Sequence, residues 1–542
     1  MLSLRKLIGR PINNITAAAA LVALFSVASR FLGVVRDHIL AGSFGAGAEL
    51  DIYYAAFRVP DFIYNLIVLG ALSAGFIPVF SEMIKRSEIW PGEKEKLVRL
   101  ANNVFNSLLL LIILLSVFGV IFAPVTAWSN PGFSAEAKAQ TAHLTRIMFL
   151  SPLFLGMSGV LGGILQSYKR FFVYSLSPVF YNLGIIFGAL VLVDFWGIDG
   201  LAWGVVLGAV LHFAVQLPTV WSLGFHYRFL LDIRDRGLRQ IAMMMGPRTL
   251  SLAVSQINLL AMTALASLLD SGSLAVFNLA NNLQSFPLGV FGISFAVAAF
   301  PFLSENAYKI EELKVRFSAT IRQILFFIIP ASVLLITLRA QLIRLVLGSG
   351  AFNWQDTILT MNTLGFFSLS LFAQASLPLL VRVFYARRDS LTPFYLGLFS
   401  VVLNIVCAWY LHPYLGVAGL ALAFSIASIV NFLSLWIVLY FRVGSLDLDK
   451  ILVSVLKFSV AAIGAGLVIQ ILKIAVWPFI DMTTFVGVFI QFSVAASGGV
   501  IAYICLCHLF RSEELLSAIA IFKKRLSVKK VKLADQGEAR GL

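Results

Sequence analysis

The stretch Tyr168-Lys169-Arg170-Phe171-Phe172-Val173-Tyr174-Ser175-Leu176-Ser177-Pro178 is answered in the second half of the chain by Tyr385-Ala386-Arg387-Arg388-Asp389-Ser390-Leu391-Thr392-Pro393. Each copy runs from a basic turn into a Ser-Leu-Ser/Thr-Pro string at the head of an apolar segment. Two further pairs keep the same order. Pro78-Val79-Phe80-Ser81-Glu82 returns 223 residues later as Pro301-Phe302-Leu303-Ser304-Glu305, and Gly197-x-x-Gly200-Leu201-Ala202 returns as Gly416-x-x-Gly419-Leu420-Ala421. Three ordered matches at nearly constant spacing indicate an internal duplication.

The duplicated unit belongs in a membrane. Of 542 residues, 60% are hydrophobic and 12% charged, against about 45–50% and about 25% in a soluble domain; the mean hydropathy is +0.92. At about 20 residues per spanning helix the chain holds a dozen or more spans, which excludes both a soluble protein and a single-anchor protein. Cuts at polar, charged and Gly/Pro-rich stretches give fourteen segments, near 15–41, 52–81, 101–127, 141–166, 173–194, 199–224, 240–268, 273–303, 318–347, 357–384, 391–411, 416–441, 452–476 and 483–510. Arg5, Lys6 and Arg10 ahead of an apolar run look like a secretory leader, but the run continues to Leu40 and equally apolar segments follow, so it reads as the first span.

Charge tests these cuts independently of hydropathy. Thirty-two of the 41 Lys and Arg fall in 1–14, 82–100, 167–172, 225–239, 304–322, 382–390, 442–457 and 511–542, that is, in the N-terminus and every second connection. This bias places both termini in the cytoplasm, and it makes the net charge of +15 a matter of loop charge rather than of affinity for nucleic acid. Six spans per repeat is an even number, so both copies share one orientation about an axis along the membrane normal. The expected fold is an all-α polytopic membrane protein of about fourteen transmembrane helices. Two pseudo-symmetric six-helix lobes, 1–224 and 225–441, surround a central cavity, followed by two helices in 442–510 and a basic cytoplasmic tail, 511–542. In that tail Leu515, Leu516, Ile519, Phe522 and Leu526 share one helical face beside Lys523, Lys524, Arg525, Lys529 and Lys530, a pattern that fits either an anionic lipid surface or a topology anchor.

Nine basic residues lie outside the cytoplasmic stretches. Lys138 sits in an opposite loop, and Arg146, Arg339, Arg344 and Lys473 lie near span ends, which leaves Arg30, Arg36, Arg58 and Arg248 inside spans. An arginine there costs about 2.5–3.5 kcal/mol and faces a partner or a polar cavity. Guanidinium grips phosphate oxygens in pairs and stays charged when desolvated, so an arginine-lined cleft suits a phosphorylated ligand. Ion pairing is the alternative. Arg58 and Asp61 share a helical face, Arg30 has no carboxylate within a turn, and Arg36 needs another element because its neighbour Asp37 points elsewhere on a helix. Gly33, Gly42, Gly45 and Gly47 would let the first helix bend, or pack closely.

The enzyme motifs are missing. There is no GxxxxGK[ST], HExxH or GxSxG string and no acidic cluster for a divalent metal, and no two of the six histidines are four apart. Cys407, Cys505 and Cys507 sit in apolar runs, which removes both a disulfide framework and a metal pair. No enzyme, cofactor or metal centre is expected.

Ser29-Arg30-Phe31-Leu32-Gly33-Val34-Val35-Arg36-Asp37, followed by Phe44-Gly45-Ala46-Gly47, Asp51 and Phe57-Arg58-Val59-Pro60, resembles the opening of the MurJ (MviN) lipid II flippases of the multidrug/oligosaccharidyl-lipid/polysaccharide exporter superfamily. Ser255-Gln256-Ile257, Ser271-Gly272-Ser273 and Phe286-Pro287-x-Gly289-Val290 are similar to that family's seventh and eighth helices. The resemblance implies transfer of lipid II, the undecaprenyl-diphosphate-linked peptidoglycan precursor, between the leaflets of the bacterial inner membrane by alternating access. It assigns Arg30 and Arg36 to the pyrophosphate, Asp51 to the second-helix acid and Arg58 to a basic position of the cavity. Tyr64 and Asn65 stand where relatives carry arginines, Asn281-Asn282 replaces an Asp-Arg pair, and Asn404 stands in for a sodium-linked carboxylate; Arg248 is the candidate to restore the lost charge. The expected partners are lipid II, the bilayer with its anionic lipids at the tail, and cell-wall synthesis proteins, with no nucleic acid. The rivals are a flippase for another polyprenyl-linked oligosaccharide, a non-transporting membrane scaffold, and a cation-coupled drug exporter, which would call for acidic rather than basic cavity groups.

Overall fold

In hydrocarbon every backbone N–H and C=O must find its partner within the protein, so long apolar runs close on themselves as helices. The computed structural model describes residues 15–69, 75–90 and 92–517, and the tail residues expected to form a basic amphipathic face from Ile519 onward lie outside them. The described chain is helical with no strand. Its longer helices are α1 (Ile15–Phe44), α2 (Ala48–Tyr64), α3 (Ile77–Ile89), α4 (Glu93–Ile121), α5 (Ala135–Met148), α6 (Leu150–Ser167), α7 (Phe171–Phe187), α8 (Asp199–Ala214) and α9 (Arg236–Ser267). The second half continues with α10 (Ser273–Pro287), α11 (Ser294–Glu305), α12 (Ile310–Thr337), α13 (Trp354–Ser368), α14 (Leu371–Ala386), α15 (Leu391–Leu415), α16 (Val417–Val443), α17 (Leu448–Val476) and α18 (Phe485–Leu509).

Among the described residues, 10 helices are long and apolar enough to cross a membrane, or 11 when α13 and α14, bent by 46° at their junction, count as one span. Fourteen segments were expected. The other three correspond to α1, α2 and α9, which are helical as well; α2 has only 17 residues, and the apolar part of α9 is the short stretch Leu252–Ser267. These three helices are the ones that carry Arg30, Arg36, Arg58 and Arg248. The chain is therefore a multi-pass, all-helical membrane protein.

Contacts divide it into two compact units. The first comprises Met1–Leu283, Val346–Thr363 and Gly397–Phe424, and the second Gln284–Leu345, Leu364–Leu396 and Ser425–Leu542. The first unit has a core of Phe76, Phe80, Leu97, Leu100, Val160 and Leu165, with Phe76 stacked on Phe80 at 4.8 Å. The second is built on Phe317, Phe326, Phe384 and Phe458, with Phe326 edge-on to Phe458 at 5.4 Å. Large apolar side chains such as Leu114, Phe118 and Ile121 of α4 stay exposed, as a surface bathed in lipid requires.

The duplication is written in the backbone as well as in the sequence. The second span of each repeat carries a π-helical segment, Asn65–Leu69 and Leu288–Ile293, whose starts are 223 residues apart like the Pro-x-x-Ser-Glu strings that follow them. Later in the repeats, Lys169 and Arg388 adopt left-handed φ of 59° and 61°, and Gly197 and Gly416 φ of +55° and +56°, each pair 219 residues apart. The helix ends agree too, since Arg170 N–H donates to Leu165 O at 2.7 Å and Asp389 N–H to Phe384 O at 2.9 Å. A helix that stops this way uses its last carbonyls, and the basic residue there meets the negative end of the helix dipole. Arg511, with φ of 50° and Ser512 N–H on Cys507 O, ends α18 in the same manner.

Two local devices position the first unit. Gly184 on α7 and Gly188 in the π-helical turn that follows it face Gly208 and Gly204 of α8 so closely that a Cβ on Gly184 would lie 2.3 Å from Gly208 Cα, a small-residue contact typical of membrane helices. The segment 225–235 between the repeats has no helix of its own, and three asparagines of α4 supply partners for its backbone. Asn102 Oδ1 accepts from Arg228 N–H at 2.7 Å, Asn103 Oδ1 accepts from Asp232 N–H at 2.8 Å, and Asn106 Nδ2 donates to Arg228 O at 2.9 Å and Leu230 O at 3.0 Å.

Since a Cβ at Gly197 or Gly416 would meet nothing within 4 Å, Gly197→Ala and Gly416→Ala should each cost only the strain of a positive-φ backbone that glycine tolerates and alanine does not, about 1–3 kcal/mol. Thermal unfolding of the purified protein should give the two variants equal shifts, and a larger one for Gly184→Ala.

Candidate functional site

Helices α1, α2, α3, α6, α7 and α8 line a half-open cavity of ≈ 440 Å³ in the first unit. α1 contributes Ser29 and Arg30, α2 Tyr64, and α7 Tyr174, Ser175 and Pro178. α6 contributes Ser158 and Gln166, while His212 and Gln216 come from α8 and the turn after it. Arg30 is half-buried and is the one Lys, Arg, Asp or Glu of this lining. A guanidinium on an otherwise uncharged wall of mixed polar and apolar groups is a site for an anion.

The other in-span arginines are placed differently. Arg36 is bound by its own neighbour: its Nη2 and Nε donate to Asp37 Oδ1 at 2.8 and 3.0 Å. The expectation that adjacent helical residues could not pair without another element is corrected here, because the four-bond arginine stem reaches around to the carboxylate and a buried charge is costly without a partner. Another element does complete the group. Arg36 Nη1 donates to Asn182 Oδ1 at 3.3 Å, and Asn282 Nδ2 donates to Asp37 Oδ2 at 2.9 Å. Asn182 in turn donates to Pro178 O at 3.0 Å and Ser29 Oγ at 3.3 Å, next to Arg30.

Arg58 does not bridge to Asp61. Its Nε donates to Thr263 Oγ1 at 3.0 Å and its Nη2 donates to Asn278 Oδ1, while Asp61 accepts from Asn65 Nδ2 at 2.9 Å. Asp51, 4% exposed, uses both oxygens on the start of α10: Gly272 N–H and Ala275 N–H each donate to it at 2.7 Å. A carboxylate at a helix N-terminus meets unpaired N–H groups and the positive end of the dipole. Asp51 therefore faces a helix cap and is absent from the cavity lining. Asn281 is half-buried on α10, and Arg248 lies on α9 with its side chain outside the described part.

The hinge glycines separate in the same way. α1 runs unbroken through Gly33, whose Cβ position is open. Gly42 is packed, its O accepting from Ala351 N–H at 2.8 Å, and a Cβ there would lie 2.6 Å from Ser349 Oγ. Gly45, at φ +62°, turns the chain after α1, and Gly47 precedes α2. Asn404 is buried and donates to Asn258 Oδ1 at 2.7 Å. Among the described residues no three His, Cys, Asp or Glu gather as a metal site.

Sequence reasoning missed one cluster. Ser158 Oγ lies 2.6 Å from His212 Nδ1 and accepts from Gln216 Nε2 at 2.5 Å. The signal was present, because His212 and Gln216 are four apart on one helical face, but histidines were tested there only against other histidines.

Residues 40–490 match the family model described as the lipid II flippase MurJ. The chain belongs to the lipid II flippase MurJ family. A probable lipid II flippase MurJ of Vibrio cholerae is 30% identical over 440 residues, covering 77% of this chain and 82% of that protein. The lipid II flippase MurJ of Burkholderia cenocepacia is 26% identical over 467 residues, covering 84% and 89%. In structure the chain is similar to a lipid II flippase MurJ solved in an inward closed conformation, with a TM-score of 0.75 and 25% identity over 91% of this chain and 98% of that one. An inward-facing multidrug resistance transporter of the MATE family shares the fold, with a TM-score of 0.62 at 18% identity over 82% and 98%. MurJ membership makes the chain a membrane transporter rather than an enzyme, as the missing catalytic motifs had implied.

Removing Asp51 leaves two buried N–H groups without partners, so Asp51→Ala should cost at least about 2 kcal/mol, and Asp51→Asn, which keeps one acceptor, roughly half as much. A double-mutant cycle of Arg36→Gln and Asp37→Asn, read by thermal unfolding, should give a coupling of about 1.5–3 kcal/mol, as expected of a charged hydrogen bond; additive losses would contradict the pairing.

Proposed function

We propose that this protein carries lipid II from the cytoplasmic to the outer leaflet of the bacterial inner membrane by alternating access, with both termini in the cytoplasm and Arg30 meeting the diphosphate. The observation that carries the assignment is that Arg30 is the one charged side chain lining a pocket of mixed polar and apolar surface, a lining that does not include Arg36 or Arg58. The relatives named above, which match most of this chain, carry lipid II in their names.

The chemistry follows from the solvent. The polyprenyl tail is as apolar as the bilayer and has no reason to leave it, so the cost of crossing lies in the diphosphate and its glycopeptide. A guanidinium in a cavity of low dielectric offsets the lost hydration of the diphosphate with charge-assisted hydrogen bonds. Arg36, Arg58, Asp51 and Asn282 act as positioning residues: they fix α1 and α2 against α9 and α10, so that Arg30 is presented from a held helix. Alternation must release some of these bonds, and neutral partners such as Asn278, Thr263 and Asn282 make that release less costly than separating full ion pairs.

In a strain depleted of its own lipid II flippase, the wild-type chain should restore growth, Arg30→Ala should fail at equal membrane abundance, and Arg30→Lys should rescue in part, because lysine keeps the charge and loses the fork. Full rescue by Arg30→Ala would remove Arg30 from the site and favour the scaffold reading.

A further inference from the structure

The cavity that holds Arg30 has a second wall, which a diphosphate does not need. We propose that Gln216, Ser158, His212 and Ser175 form a saccharide subsite, an uncharged hydrogen-bonding surface for hydroxyl and acetamido groups of the lipid-linked sugar. The proposal rests on the reading of Arg30 as the diphosphate contact.

Gln216 is 1% exposed and its orientation is set by its neighbours. Its Nε2 donates to Ser158 Oγ at 2.5 Å and to His212 O at 3.2 Å, and a carbonyl oxygen can only accept, so the amide cannot be reversed. Oε1 is therefore the atom left over, and it is buried with no partner among the described residues. Ser175 Oγ, on α7, is also buried and without a partner there. A buried acceptor with no donor costs about 1–3 kcal/mol, and two of them on one cavity imply a partner that arrives with the ligand. His212 has its Nδ1 against Ser158 Oγ at 2.6 Å, and Nε2, which makes no hydrogen bond to the described residues, remains for the ligand.

The ligand class follows from these atoms. Gln216 Oε1 accepts and would repel an anion, so the phosphates belong at Arg30 and an O–H or N–H donor belongs at Gln216. Gly162 stands beside that oxygen, where a Cβ would lie 3.5 Å from Oε1 and 3.2 Å from the Tyr174 ring. The volume, ≈ 440 Å³, falls in the range of about 300–1,000 Å³ found for small-molecule sites. A sugar joined directly to a phosphate at Arg30 would have its hydroxyls and acetamido group within this cavity. A site built to satisfy buried polar atoms discriminates strongly against an analogue that lacks the matching groups.

The test compares two probes on the purified full chain in nanodiscs: lipid II, and undecaprenyl diphosphate, which has the tail and the phosphates without the sugar. The wild-type chain should bind lipid II at least about tenfold more tightly than undecaprenyl diphosphate. Gln216→Leu should erase most of that preference and leave undecaprenyl diphosphate binding unchanged, while Arg30→Ala should weaken both. Ser175→Ala, whose hydroxyl has no partner among the described residues, should lower the preference without lowering thermal stability, so a folding defect in Gln216→Leu cannot mask the result. Wild-type preference retained in both Gln216→Leu and Ser175→Ala, or equal weakening of both probes in Ser175→Ala, would overturn the subsite and leave the flippase reading intact. Failure of the wild-type chain to bind either probe would overturn that reading and the subsite with it.

Discussion

An arginine inside hydrocarbon must be answered by another polar group, and most of the first unit is organised around how it answers three of them. Arg36 is met by Asp37, Asn182 and, through Asp37, Asn282; Arg58 is met by Thr263 and Asn278; Arg30 lines a cavity wall. Because these partners are spread over α1, α7, α9 and α10, satisfying the charges also fixes the helices that carry them. The energy that would be lost by burying bare charge becomes the energy that specifies the packing.

The partners differ in kind, and the difference matters for a protein that must change shape. Arg36 and Asp37 lie next to each other on one helix, so their bond survives any rigid movement of α1. The links from α1 and α2 to α9 and α10 run through neutral amides and a hydroxyl, apart from Asp51 on its helix cap. Arg36 is neutralised on its own helix, whereas Arg58 meets α9 and α10 through an uncharged hydroxyl and amide. Such a division keeps two packings within a few kcal/mol of each other, which is what a two-state element requires.

Hydropathy, loop charge and the repeated strings carried the all-helical membrane fold, because each is set by the solvent or by ancestry and needs no side-chain geometry. The duplication even emerged more sharply in the backbone, with matching π segments and matching left-handed residues at Lys169 and Arg388. The site was readable only to the level of residue type. Arg30, Arg36 and Arg58 could be picked out as costly, yet one-dimensional spacing put Arg58 with Asp61 and parted Arg36 from Asp37, and both pairings came out the other way. The deciding partners, Thr263 and Asn278, stand more than two hundred residues from Arg58. The partners of Asp51 were hidden for the same reason, since a helix cap 221 residues away leaves no local mark. Gln216 was passed over because an amide in an apolar run carries no charge to draw attention.

The asparagines on α4 have a consequence for how the two copies are joined. With Asn102, Asn103 and Asn106 stitched along residues 226–232, the joint contributes almost no slack, and its effective tether begins near Asp235 instead of at the end of the sixth span. α9 therefore springs from a point anchored on α4, and any turn it makes pivots there instead of on a loose linker.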